Sequence, residues 1–172
     1  MTRAAVVVES MFGNTRQVAE AIAEGIAEVT EVEVVDVSAA PVAPSVDLLV
    51  LGGPTHALGM SRQRTRADAA RRGAPATDEA LRRGLREYIS DLHHTSYPIL
   101  MATFDTRAHR PGVPGSAART ARRRLVRAGA RVVLPPESFY VSDVSGPLLP
   151  GELDRACQWG TRLASSLRAT AR

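Results

Sequence analysis

The chain has 172 residues, 44% of them hydrophobic, which suits one domain with a proper core. All 22 basic side chains are Arg, against 18 acidic ones, and the pI is near 10.2; a basic balance suits a nucleic-acid partner, but one Trp, three Tyr and three Phe and no groove-reading motif argue against one. No apolar run approaches the roughly 18 residues of a membrane span, the first strand starts too near Met1 for a signal peptide, and the single cysteine, Cys157, allows no intramolecular disulfide, so a cytoplasmic protein without a membrane partner is expected.

Ala4 to Val8 reads as a buried strand that breaks at Ser10-Met11-Phe12-Gly13-Asn14-Thr15, after which Val18, Ile22, Ile26 and Val29 recur at helical spacing. A strand, a short loop and a helix start make an anion-binding arrangement. The first-turn N–H groups have no partner within the helix, and the helix dipole is positive there. The Ser10 and Thr15 hydroxyls and the Asn14 amide can add hydrogen bonds, and Gly13 lets the backbone bend close. A Ser/Asn-capped helix with no ligand is the plain alternative. Neither Gly-x-x-x-x-Gly-Lys-Ser/Thr nor Gly-x-Gly-x-x-Gly follows the strand, which sets aside the common nucleotide loops.

Val32, Val34, Val35 and Val37 form a second strand, and the Ser/Ala/Pro stretch 38–45 a loop. Asp47 to Gly53 is continuously apolar after Asp47, as in a strand covered on both faces, and Gly53-Pro54-Thr55-His56-Ala57-Leu58-Gly59 reads as the turn that ends it. Residues 61–78 form an Arg-rich tract longer than the usual connection, expected to be a mobile flap or a partly helical excursion. Its Arg62, Arg64 and Arg66 are either a solvated charge run or reach toward a second phosphate or an acidic substrate.

Thr77 or Asp78 caps a helix with Leu81, Leu85, Tyr88, Ile89 and Leu92 on its apolar face, closed by His93-His94 as cations at a helix C-terminus and not as metal ligands. Tyr97 to Thr103 is the fourth strand, and 104–116 the loop after it. Ser116 caps a helix with a core face of Ala117, Ala121, Leu125 and Ala128, ending at Gly129. The outer face of that helix carries Arg119, Arg122, Arg123, Arg124 and Arg127, a solvated face by default and otherwise a dock for an acidic protein or a nucleotide phosphate. Val132-Val133-Leu134 and Phe139-Tyr140-Val141 make a fifth strand interrupted at Pro135-Pro136. The last helix puts Leu153, Ala156, Cys157, Gly160, Leu163, Ala164 and Leu167 on one face, with Trp159 as packing.

Ser10, Gly13, Asn14 and Thr15 resemble the flavodoxin phosphate loop, Thr/Ser-x-Thr/Tyr/Phe-Gly-Asn-Thr, which in that family holds the 5′-phosphate of FMN. Pro54, Thr55 and Gly59 resemble the Gly/Ser-Pro-Thr-x-x-x-Gly turn that supplies backbone groups to the isoalloxazine ring, with His56 near the ring-contacting position. Phe104 and Asp105 partly match the family's third loop, whose Gly-x-Gly-Asp form is absent, and Arg107, His109 and Arg110 add positive charge there.

The resemblance implies a single flavodoxin-like α/β domain over 1–172, a doubly wound five-stranded parallel sheet in the order 2-1-3-4-5, of which flavodoxin is the type example, with helices on both faces. It implies FMN as cofactor, with candidate contacts Ser10, Met11, Phe12, Gly13, Asn14, Thr15, Pro54, Thr55, His56, Gly59, Phe104, Asp105 and Arg107. A cation such as Arg107 near the ring's N1–O2 edge would favour the anionic reduced flavin, as suits a reductase; a structural role for Asp105 and Arg107 stays open beside it.

The implied function is electron transfer or flavin-dependent reduction, with a redox partner protein or a small quinone-like acceptor. A small NAD(P)H:quinone-type oxidoreductase competes here with a dedicated carrier, and a homodimer is left open. Carriers of the family are strongly acidic, so this basic chain would be repelled from the surfaces on which they dock. The alternative is a flavin-free protein that uses the same rim for another phosphorylated ligand or for a protein partner.

Overall fold

The computed structural model describes residues 2–92, 99–110 and 112–170. His93, His94, Tyr97 and Pro98 lie outside them.

Every second residue of a strand points to the same face, so an uninterrupted apolar strand needs a cover on both sides. That is the arrangement here. Strand β1 (Arg3–Val8) pairs in parallel with β2 (Glu31–Asp36) on one side and with β3 (Leu48–His56) on the other, and β3 pairs in parallel with β5 (Leu100–Ala108). Val6, Val8, Leu48 and Val50 are buried against helices α1 (Asn14–Ala27) and α6 (Glu152–Thr170). Ala5, Val7, Leu49 and Leu51 are buried on the opposite face with α4 (Leu85–Asp91) and α5 (Ala117–Arg127).

Beyond β5 the fifth strand comes in two pieces, β6 (Arg131–Val132) beside Leu100–Met101 and β7 (Glu137–Val141) beside Phe104–Ala108. Arg131 faces Leu100, an offset of 31, whereas Glu137 faces Phe104, an offset of 33; Pro135-Pro136 therefore lies where the chain slips two residues and leaves the ladder. Counting β6 and β7 as one strand, the order is the expected 2-1-3-4-5, with helices on both faces.

The expected elements differ from the observed ones at three places. The Pro54-Thr55-His56 stretch is not a turn but the end of β3, which folds back as a hairpin onto β4 (Gly59–Met60). Pro54 is tolerated because β1 stops opposite Gly52, so β3 has a free side from Gly53 onward. Likewise 104–108 is strand, not loop, because β3 and β7 pair with it on either side. The helix expected from Thr77 to Leu92 is two helices, α3 (Asp78–Arg82) and α4, separated at Arg83-Gly84. A side chain at Gly84 would collide with Arg66 Nη1 at 2.5 Å and Glu9 Oε2 at 2.6 Å. The Arg-rich tract, for its part, holds α2 (Gln63–Arg71).

Helices α1 and α6 meet at two glycines. A Cβ on Gly25 would lie 2.1 Å from the Cys157 carbonyl oxygen, and one on Gly160 would lie 2.1 Å from that of Ile22. The contact is backbone to backbone. Trp159, Phe104 and Phe139 pack edge to face with centroids 6.2–6.3 Å apart in the core below β5 and β7. Among the described residues no helix is long and apolar enough to cross a membrane.

Candidate functional site

The carboxyl ends of β1, β3 and β5 open onto one groove. Gly13, at φ +92°, turns the chain from β1 into α1, a left-handed conformation that suits glycine. Its carbonyl accepts from Gln17 N (3.1 Å), and Ser10 Oγ accepts from Arg16 N (3.3 Å). The amides of residues 11–15 donate to no described residue, which leaves the positive end of α1 facing the groove.

The second wall is the β3–β4 hairpin. Its tip, Ala57 and Leu58, has positive φ at both residues (43° and 72°), the two-residue turn that matches strand twist but strains residues other than glycine. His56 is half-buried at its base, and its imidazole is held below the usual histidine range by burial first and by the nearby Arg66 charge second, so it is neutral at physiological pH.

The expected contacts divide clearly. Met11, Phe12, Asn14, Thr15, Pro54, Thr55, His56 and Arg107 all border the groove. Several of their functional atoms are nonetheless committed elsewhere. The Met11 side chain is buried with Phe12, Ala69 and Ala74, which pins α2 beside the first loop. Thr15 Oγ1 is buried 2.7 Å from Thr106 Oγ1. Asn14 donates through Nδ2 to Ser145 O at 3.0 Å. The two Arg107 nitrogens donate to the carbonyls of Gly115 (2.6 Å) and Val113 (2.7 Å), so this cation braces the loop that follows β5. Gly59 pairs with His56 in the hairpin.

Two expected ring contacts lie elsewhere. Phe104 is fully buried in the aromatic core, its ring in the space that a Cβ on Gly52 would fill. Asp105 is fully buried too: its Oδ2 accepts from Thr55 Oγ1, Ser116 Oγ and Ala118 N, at the N-terminus of α5. An internal carboxylate thus occupies the positive end of α5. Phe104 and Asp105 point to opposite faces of β5 and each is covered, Phe104 by α6 and Asp105 by α5, whereas Arg107 lies on the Asp105 face two residues farther along, where the cover ends.

Two elements of the site carry little sequence signal. The loop 142–148 lies over Asn14 and sets Val144, 54% exposed, at the mouth of the groove; the Gly146-Pro147 turn was its only marker. Beneath the hairpin is a buried ionic cluster. Arg66, with no solvent exposure, donates to Leu81 O, Ser61 Oγ and Arg82 O at 2.9–3.0 Å and lies 3.1 Å from Glu87 Oε2. It therefore reaches neither solvent nor a substrate phosphate: it bolts the Arg-rich tract to the sheet. Glu9, directly before the first loop, accepts from Leu85 N at 2.7 Å. Burial raises its carboxyl above the ordinary range, against the opposing pull of Ser61, Leu85 N–H and Arg66. For Glu87 burial also works upward but is outweighed by Gly84 N–H and Arg66, and its carboxyl lies low.

The groove holds about 90 Å³, and a second cleft of about 250 Å³ shares Phe12, Thr55, His56 and Val144 with it and runs on to Thr65, Asp68 and Arg72 of α2. No family model and no curated protein sequence matches the chain. Solved structures do. An archaeal flavodoxin aligns over 97% of this chain and 99% of its own at 18% identity and TM-score 0.66. The fold is flavodoxin-like. Flavodoxin 2 of Bacillus cereus aligns over 96% and 99% at 17% identity and TM-score 0.68. A flavodoxin, WrbA-like protein from Agrobacterium tumefaciens aligns over 98% and 99% at 19% identity and TM-score 0.60. In a flavodoxin-like fold the groove found here, at the carboxyl edge where strand order reverses between β1 and β3, is the switch point at which ligands bind.

Proposed function

We propose that the chain binds FMN at this groove and serves in electron transfer or flavin-dependent reduction. The observation that carries the reading is the start of α1: a left-handed Gly13 and a run of amides without acceptors among the described residues, at the end of the first strand of a flavodoxin-like sheet. The donor set fits a phosphate, since backbone N–H groups and the Ser10 hydroxyl are neutral donors and no carboxylate borders the groove. A bound flavin supplies reversible one- and two-electron chemistry; the chain supplies position and electrostatics. His56, kept neutral by burial and Arg66, offers a ring edge and a nitrogen without adding charge to the ring site. Phe12 and Val144 line its mouth with apolar surface.

A second reading is favoured by the narrowness of the groove, which is below the size usual for a cofactor cavity of about 300 Å³ or more. In it the same amides hold a smaller phosphorylated ligand and no flavin.

Titration with FMN and with riboflavin, followed by flavin fluorescence, tests both. Asn14→Asp places a carboxylate in the first turn of α1, where it suits the helix dipole but repels a phosphate. The expected result is FMN binding that the substitution weakens about ten-fold or more, with riboflavin binding little changed. No FMN binding by the unsubstituted chain, or equal effects on both ligands, overturns the flavin assignment.

A further inference from the structure

The outer face of α5 is the most one-sided surface among the described residues. Its eleven residues include Arg119, Arg122, Arg123, Arg124 and Arg127 and no acidic side chain. None of the five guanidiniums forms an ion pair among the described residues; Arg123 makes only a 3.4 Å contact with Thr120 Oγ1. The field continues past the helix. Arg86 donates to the carbonyls of Met60 and Ser61, and both Arg124 and Arg62 are close enough to oppose its charge. The nearby carboxylate of Glu87 is already held by Arg66. Like charges gathered without counter-charges cost stability, and an acidic partner relieves that cost.

The face has a shape as well as a sign. A groove of about 450 Å³ runs from Leu58 at the hairpin tip between Gly115, Arg119, Arg122 and Arg123. Leu58 is 55% exposed, and its backbone presses on Gly115, where a Cβ would lie 2.5 Å from it. Val113, in the same loop, is also exposed. An exposed apolar tip therefore stands at the margin of the candidate site with arginines around it.

Arg119 and Arg127 are eight residues apart, about 12 Å along the helix, so the charges spread over a surface wider than one phosphate group. Six acidic side chains are gathered elsewhere: Glu20, Glu24, Glu28, Glu31, Glu33 and Asp36 lie on α1, the turn after it and β2. This separation would orient an approaching acidic molecule toward α5.

We infer that the α5 face, with Arg119, Arg122 and Arg123 and with Leu58 at the near end of its groove, docks an acidic protein partner. The docking face stands on charge and shape alone; a redox role for the partner rests on the flavin reading above.

The test uses the full chain, isotopically labelled, and a poly-glutamate peptide as probe, with inorganic pyrophosphate and a single-stranded oligoribonucleotide as comparators, at low and at physiological ionic strength. The expected result is a set of amide shifts confined to 57–60, 113–116 and α5, with affinity that falls steeply with salt. The triple substitution Arg119→Glu, Arg122→Glu, Arg123→Glu should lose about ten-fold or more of that affinity. The charge-matched control Arg3→Glu, Arg162→Glu, Arg168→Glu should lose little.

Equal losses in the two triple variants, shifts spread over the whole surface, or no binding of the peptide would overturn the proposal. Tighter binding of the oligoribonucleotide than of the peptide, or saturation by pyrophosphate that excludes the peptide, would overturn it in favour of a nucleic acid or a small anion. FMN loading, read from visible absorption of the same samples, separates failure of the flavin assignment from failure of the docking face.

Discussion

Thr55 Oγ1 donates to Asp105 Oδ2 at 2.9 Å, tying the end of β3 to the end of β5. The same hydroxyl accepts from Ala117 N at 2.9 Å, and the same carboxylate oxygen accepts from Ser116 Oγ at 2.6 Å and Ala118 N at 3.0 Å. Two residues that motif reasoning put at a ligand therefore hold α5 onto the sheet. Asp105→Ala strands the buried Ser116 hydroxyl, the half-buried Thr55 hydroxyl and an amide, and is expected to cost about 2–4 kcal/mol in urea unfolding. If it instead leaves stability unchanged and abolishes FMN binding, Asp105 belongs to the site and not to the scaffold.

Arg66 should be among the least replaceable charges of the chain. Arg66→Leu leaves the carboxylate of Glu87 and that of Glu9 without their cation and leaves two carbonyls without donors, which is expected to cost about 3–5 kcal/mol. Arg64→Leu, an exposed neighbour on α2, is expected to change stability by less than about 0.5 kcal/mol. Denaturant midpoints of the two variants check the contrast.

The pH dependence of stability should carry two opposite contributions. His56 has a lowered pKa in the fold, so the unfolded chain binds its proton more readily, and stability falls as pH drops below about 6.5. Glu9 has a raised pKa, so the folded chain holds its proton longer, and its contribution falls as pH rises above the ordinary carboxyl range. His56→Gln should flatten the acid side of the profile, and Glu9→Gln should gain on the unsubstituted chain as pH rises toward neutrality. Unfolding midpoints measured from pH 4 to pH 8 read both signs.

The contact between α1 and α6 leaves no room for a methyl group. Gly25→Ala and Gly160→Ala each meet a backbone carbonyl, which cannot rotate away as a side chain would, so each is expected to cost about 1–3 kcal/mol or more by forcing the helices apart. Thermal unfolding of the two single variants checks this, and an unchanged midpoint would mean that the helices separate at little cost.

How far the chain could be read from its residues depended on the range of the interaction. The first two strands, the helix starts at Ser116 and Thr77 and the break at Pro135-Pro136 are local patterns, and each stands where it was expected. They suffice for a doubly wound parallel sheet, because alternating strands and helices with right-handed crossovers leave few ways to build one, and the resemblance of the loops then selects the order 2-1-3-4-5. The same reasoning put Phe104 and Asp105 in a loop at the rim, whereas β3 and β7 pair with 104–108 on either side and carry both residues inside the sheet's cover. It also took Arg66 for a surface or ligand-reaching charge, since its partners at 61, 81, 82 and 87 meet only when α2 folds back on α3 and α4.

The sequence by itself thus determined the alternation of buried strands and helices and the helix start after the first strand, which follow from hydrophobic periodicity and backbone valence, while the strand order came with the resemblance. Only the tertiary structure decided which polar side chains remain available to a ligand: burial forces each enclosed charge and hydroxyl to find a partner, and those partners come from segments far apart in the chain.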